Sequence, residues 1–171
     1  MKAGHAVRSS ALALAILLAT SGGARAETVV RGHFSHGTAN CQAALPVFDG
    51  NLRKRPLAFA NEGPGNAFVT CDTDSISIAS EGTFTLIDVF FANNGTGTPA
   101  IDCTLVNIGA SATTYHPKTT GPMPPGEGGF IAWSVSDNGG ERFRAPAISC
   151  NLMPQTQINA VGFAYHEEIG A

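Results

Sequence analysis

The chain has 171 residues, 43% hydrophobic and only 13% charged, with four cysteines and a formal charge of −3. From Glu27 onward 7 Lys and Arg stand against 13 Asp and Glu, a balance of −6, which argues against nucleic acid or an anionic membrane surface as partner. No G-x-S-x-G, H-E-x-x-H or P-loop pattern occurs, so the familiar nucleophile, zinc-hydrolase and phosphate-binding chemistries lack their motifs.

The first 26 residues read as an export signal. Lys2 and Arg8 give a basic start, Ala11–Ala19 is an unbroken apolar run, and Ala24-Arg25-Ala26 offers the small residues a signal peptidase needs. The run is shorter than the roughly 20 residues a bilayer span requires, and no later segment is long and apolar enough. Cleavage near Ala26 leaves Glu27–Ala171 as one domain, destined for the periplasm or the extracellular space.

Along that domain the expected elements are short strands. Thr28–Phe34 is an edge strand, and Ser35–Gly50 is a loop in which Asn40 caps one helical turn over Gln42–Leu45. Arg53-Lys54-Arg55 reads as a solvated turn before Pro56, and Pro56–Ala60 as a short strand. Asn61–Gly65 is a turn, after which Ala67, Val69 and Cys71 share one strand face. Ile76 and Ile78 alternate with serines in the same way. Gly82–Ala92 is apolar on both parities, as a strand covered on both faces would be. Asn93-Asn94-Gly95 signals a hairpin into a strand over Ile101–Val106 that points Cys103 inward. Thr113–Gly129, with four prolines and four glycines, is expected to be irregular. Gly129–Ser136 is the next strand, and Asp137–Gly140 a turn. In the last segment Ile148, Cys150 and Leu152 face a core, Pro154 ends the strand, and Val161, Phe163 and Tyr165 face the core from a final strand. No internal repeat is evident.

Seven to eight short strands without an amphipathic helix predict an all-β, antiparallel β-sandwich, jelly-roll or immunoglobulin-like. Four cysteines in an exported chain imply two disulfides. Three pairings are open. Cys41–Cys71 with Cys103–Cys150 is preferred, because each half of the domain then closes on itself.

Several residues are candidates for chemistry. His33, His36 and His116 are potential copper or zinc ligands, although i and i+3 on a strand fall on opposite faces. Asp72 and Asp74 offer oxygens to calcium, but without the ligand spacing of a calcium loop. Asp88 is an acid in the most apolar strand, and no second carboxylate makes it a glycosidase pair. Trp133, Tyr115 and Tyr165 could stack on a flat ligand, and the parity of Trp133 with Ile131 and Val135 puts it in the core. Tyr115, His116 and Asp88 are therefore the candidate ligand-binding residues. No cofactor is implied.

The layout resembles small secreted β-rich proteins of proteobacteria and related bacteria, a group without an assigned activity. The likeness is carried by Asn40-Cys41-Gln42, Val69-Thr70-Cys71, Ile101-Asp102-Cys103 and Cys150-Asn151-Leu152-Met153-Pro154, followed by Ile158 and Tyr165-His166-Glu167. It implies an exported, disulfide-bonded sandwich and carries over no active-site residue.

The reading that follows is a non-catalytic exported module that binds a glycan or protein surface through its loops, Thr113–Gly129 and Asn93–Thr98. The alternative is a metal-dependent or hydrolytic enzyme using His33, His36, His116 or Asp88, which needs those groups to converge. A structural component of the cell envelope is the third. Oligomeric state is not legible.

Overall fold

The computed structural model describes residues 26–73, 84–109 and 111–170. The export signal expected over residues 1–26 and the Ile76–Ile78 strand lie outside the described residues, Ala26 excepted. Val29–Glu167 forms one compact unit.

Two antiparallel sheets make up the structure. One, sheet A, contains β3 (Leu52–Arg55), β4 (Ala58–Asn61), β11 (Thr156–Ile169), β6 (Phe84–Asn93) and β9 (Gly128–Ser134) in that order, with β1 (Glu27–His36) also pairing with β11. The other, sheet B, runs β2 (Cys41–Ala43), β5 (Ala67–Asp72), β10 (Pro146–Leu152), β7 (Asp102–Ile108), β8 (Thr113–Thr119). From β4 to β11 the chain changes sheet at every connection except the β7–β8 hairpin. This order is that of a jelly roll, one of the two sandwich types expected.

The core lies between the inward parities of both sheets. Ile87, Val89, Phe91, Trp133, Val161 and Phe163 of sheet A meet Val69, Leu105, Ile148, Leu152 and the four cysteines of sheet B. Period-2 alternation does most of this placement. Where the alternation slips, the chain bulges: the register shifts between Ile158 and Ala160, so Ile158 and Val161 both point inward. Tyr165 packs against this core partly buried.

Several expectations need correction. Eleven strands are present among the described residues rather than seven or eight. Asn93-Asn94-Gly95 does not turn a hairpin. It is an arch from sheet A to sheet B, because β6 finds both its partners, β11 and β9, within sheet A. Buried Asn93 plugs the arch: its Nδ2 donates to the carbonyls of Gly97 and Met123, both at 2.8 Å, while its Oδ1 accepts from the Gly95 amide.

The same device closes the β4–β5 arch. Asn61 Nδ2 donates to Gly65 and Leu152, and its Oδ1 accepts from Gly63. The sequence does contain this repeat: Phe-Ala-Asn-x-Gly-x-Gly occurs at Phe59 and again at Phe91, each ten residues from its Asn to a cysteine. Gln155, at φ 61° in the β10–β11 arch, links the two by donating its amide to Asn61 and accepting from Asn94.

Thr113–Gly129 is not wholly irregular, since its first seven residues are β8. Pro117 is tolerated there because β8 is an edge strand with a partner on one side only. The basic run Arg53-Lys54-Arg55 is edge strand β3, not a turn, and charge on an edge is a common guard against unwanted pairing. The helical turn falls at Gly37–Asn40, before the expected Gln42–Leu45, because Cys41 is held in β2 opposite Cys71.

Both disulfides are those preferred from the sequence, Cys41–Cys71 and Cys103–Cys150. Each joins directly opposed residues of neighbouring strands in sheet B, so neither crosses between the sheets.

Candidate functional site: the outer face of the cysteine-bearing sheet

All four cysteine side chains of sheet B point into the core, so their chain neighbours point out. Those neighbours are polar without exception: Gln42 beside Cys41, Thr70 and Asp72 around Cys71, Asp102 and Thr104 around Cys103, Ser149 and Asn151 around Cys150. Strand register then arranges them into rows. Gln42, Thr70, Ser149 and Thr104 stand opposite one another across four strands and end at Pro117. On one side lies the row Asp72, Ala147, Val106, Tyr115, and on the other Phe68, Asn151, Asp102, Thr119.

The central row and Asn151 make no side-chain hydrogen bond among the described residues. Asn151 Oδ1 is enclosed without a partner. Short polar side chains on an open sheet are usually satisfied by solvent, but an enclosed acceptor without a donor costs ~1–3 kcal/mol. Two rings flank this floor at opposite corners. Tyr115 is 67% exposed and Phe68 46% exposed, the latter braced by Phe48 at 5.8 Å between centroids. The face combines unspent donors and acceptors with aromatic faces.

Of the residues singled out from the sequence, Tyr115 and Asp72 lie on this face. His116, next to Tyr115, points the other way, toward the sandwich interior: its Nε2 lies 2.9 Å from Thr114 Oγ1 and its ring meets Phe143 edge-on. Its carbonyl accepts from the indole of Trp133 at 2.8 Å, and Trp133 is fully buried, as its parity predicts.

Asp88 is on the other sheet, between Gly162 and Ala132 on the outer face of sheet A. It is half-buried without an ion pair or hydrogen bond among the described residues, and this burial raises its carboxyl above the usual Asp range. Phe34, Phe90 and Phe130 form a ridge on the same face, with Phe34 lying where a Cβ of residue 162 would stand. His33 and His36 are exposed on β1, and Asp74 lies outside the described residues. The structure therefore spreads Asp88, His116 and the β1 histidines over different elements. Among the described residues no three His, Cys, Asp or Glu come together to hold a metal.

Of the ligand loops expected at 93–98 and 113–129, Asn93 is spent plugging its arch and Thr113–Thr119 form strand β8. The polar rows of sheet B were not anticipated, although the polar flanks of the four inward cysteines were a readable signal.

No family model matches the chain, and no curated protein resembles its sequence significantly. Among solved structures it is similar to the Desmodium yellow mottle tymovirus, at 8% identity and a TM-score of 0.45, covering 87% of this chain and 91% of that one. It is also similar to the CBM27-1 of Caldicellulosiruptor saccharolyticus in complex with mannohexaose, at 8% identity and a TM-score of 0.40 over 82% and 97% of the two chains. A third similarity is to the exo-β-1,3-galactanase of Phanerochaete chrysosporium with galactose, at 12% identity and a TM-score of 0.41 over 79% of this chain; the match spans 29% of the galactanase.

Proposed function

We propose that this protein is an exported, non-catalytic module that binds carbohydrate on the outer face of sheet B. The observation that carries the reading is the unpartnered row Gln42, Thr70, Ser149, Thr104 with Asn151 beside it. Each sugar hydroxyl both donates and accepts, and so do these hydroxyl and amide groups. Tyr115 and Phe68 offer ring faces to the apolar C–H side of a sugar. A protein partner would instead favour an apolar centre with a polar rim, and this face has its polar groups at the centre. The basic-apolar-small pattern of residues 1–26 and the two disulfides support export. No helix among the described residues is long and apolar enough to cross a membrane.

A glycan array followed by affinity electrophoresis of the purified protein tests this. Retention by at least one glycan is expected, with Tyr115→Ala weakening it about tenfold, the scale of one lost stacking contact together with the water it excluded. Phe130→Ala, on the opposite sheet, serves as the control for changes in folding. Silence across the array, or equal loss from both variants, rejects the assignment.

A further inference from the structure

At the β2 end of this face a cleft opens, lined among others by Asn40, Gln42, Lys54, Thr70 and Asp72. It differs from the rest of the face in carrying a cation. Lys54 comes from β3 of sheet A and shares its parity with buried Leu52, while Arg53 and Arg55 take the other side of the strand. Those two arginines are occupied: Arg55 holds Glu62 through two bonds of 2.6 Å, and Arg53 donates to the carbonyls of Asp49 and Leu52. Lys54 and Asp72 line one cleft, and neither is paired within the described residues. Asn40 is tied back into the turn, its Oδ1 accepting from Ser35 at 3.3 Å.

A neutral sugar would leave Lys54 without a counter-charge, and an acidic one supplies it. We infer that the cleft is an acid-recognition subsite, taking the carboxylate of a uronic acid residue in a glycan laid across sheet B. Lys54 supplies the charge, the Gln42 amide donates, and Asp72 accepts from a neighbouring hydroxyl. Asp72 also fixes orientation, because a carboxylate placed beside it meets a like charge. The inference rests on the carbohydrate reading and narrows its ligand class.

Polygalacturonate and its fully methyl-esterified form present one backbone with and without the charge, and the same pair made from alginate guards against a backbone mismatch. Isothermal titration of the purified protein at low salt is expected to show the acid form of at least one pair bound about tenfold tighter, a preference that shrinks as salt screens it. Lys54→Met brings the acid form down toward its ester, and Lys54→Arg retains the preference. Equal affinity for acid and ester overturns the subsite and leaves the carbohydrate face standing. A preference that survives Lys54→Met removes Lys54 from the subsite and overturns the assignment. No binding to any of the four polymers overturns the subsite, and retention by another glycan on the array leaves the carbohydrate face standing.

Discussion

At the residue scale, Asp88 and Asn93 show opposite ways of treating a polar group within a sheet. Asp88 is half-buried on sheet A with nothing to pair it among the described residues, and desolvation raises its carboxyl above the ordinary value. A folded-state pKa above the unfolded one means that protonation favours the fold. The stabilising contribution is complete below the unfolded Asp range and is lost as pH rises through the folded pKa. Asp88→Asn should therefore stabilise the protein at neutral pH, and the gain should vanish toward pH 3. Thermal melts of both proteins across that range check it, and a gain that persists in acid contradicts the assigned cause. Asn93 is fully enclosed and spends both ends of its amide on three backbone groups. Asn93→Ala strands the Gly97 and Met123 carbonyls and the Gly95 amide together. At ~1–3 kcal/mol for each buried group left unmet, the loss should reach ~3 kcal/mol or more in urea unfolding.

At the element scale, the open sides of the two sheets are stitched where β8 faces β9. The Trp133 indole donates to the His116 carbonyl, and Lys118 reaches both the Ala132 carbonyl and Asp137, each at 2.7 Å. Trp133→Phe removes the indole donor and part of a buried ring, so a loss of ~2–4 kcal/mol is expected in chemical denaturation. Lys118→Met removes a partly exposed ion pair and the bond to the Ala132 carbonyl, and should cost ~1 kcal/mol. The ranking of these two, rather than either value, is the sharper check. These elements also show what a sequence can reveal. Parity placed Trp133, Val161 and Cys150 correctly because a strand offers its side chains only two directions. Partner choice is a different matter. Asn93-Asn94-Gly95 carries hairpin chemistry, but a turn motif does not say whether the strand beyond it returns to the same sheet. Pro117 looked like a ladder breaker because edge and centre are not distinguishable until strand order is known. The proposed binding face stayed hidden for the same reason. Thr70, Ser149 and Thr104 are separated by dozens of residues, and only register sets them side by side.

At the scale of the whole molecule, the covalent reinforcement is one-sided. Both disulfides lie in sheet B, beneath the proposed face, and none lies among the strands of sheet A. The loops they close, with separations of 30 and 47 residues, do not overlap in sequence. In the chain-entropy model each contributes ~3.5–4 kcal/mol, so together they rival the 5–15 kcal/mol net stability of an ordinary domain. They are also close in space, since Cys71 stands opposite Ile148 while Cys150 stands opposite Val69. Their effects should therefore couple rather than add. The two bridges differ in what they hold. Cys103–Cys150 joins β7 and β10, two strands paired on both sides, whereas Cys41–Cys71 secures β2, a three-residue edge strand whose only sheet partner among the described residues is β5. Replacing Cys41 and Cys71 with serine should thus release β2 and the Gly37–Asn40 turn, dismantling the acid cleft while the Tyr115 side of the face persists. Hydrogen exchange should show lost protection at Cys41–Ala43 with β7 and β10 still protected. Glycan titration should show the acid preference lost before binding itself. If protection fell uniformly across sheet B, β2 would be no separable edge, and the cleft would have to be treated as part of the cooperative core.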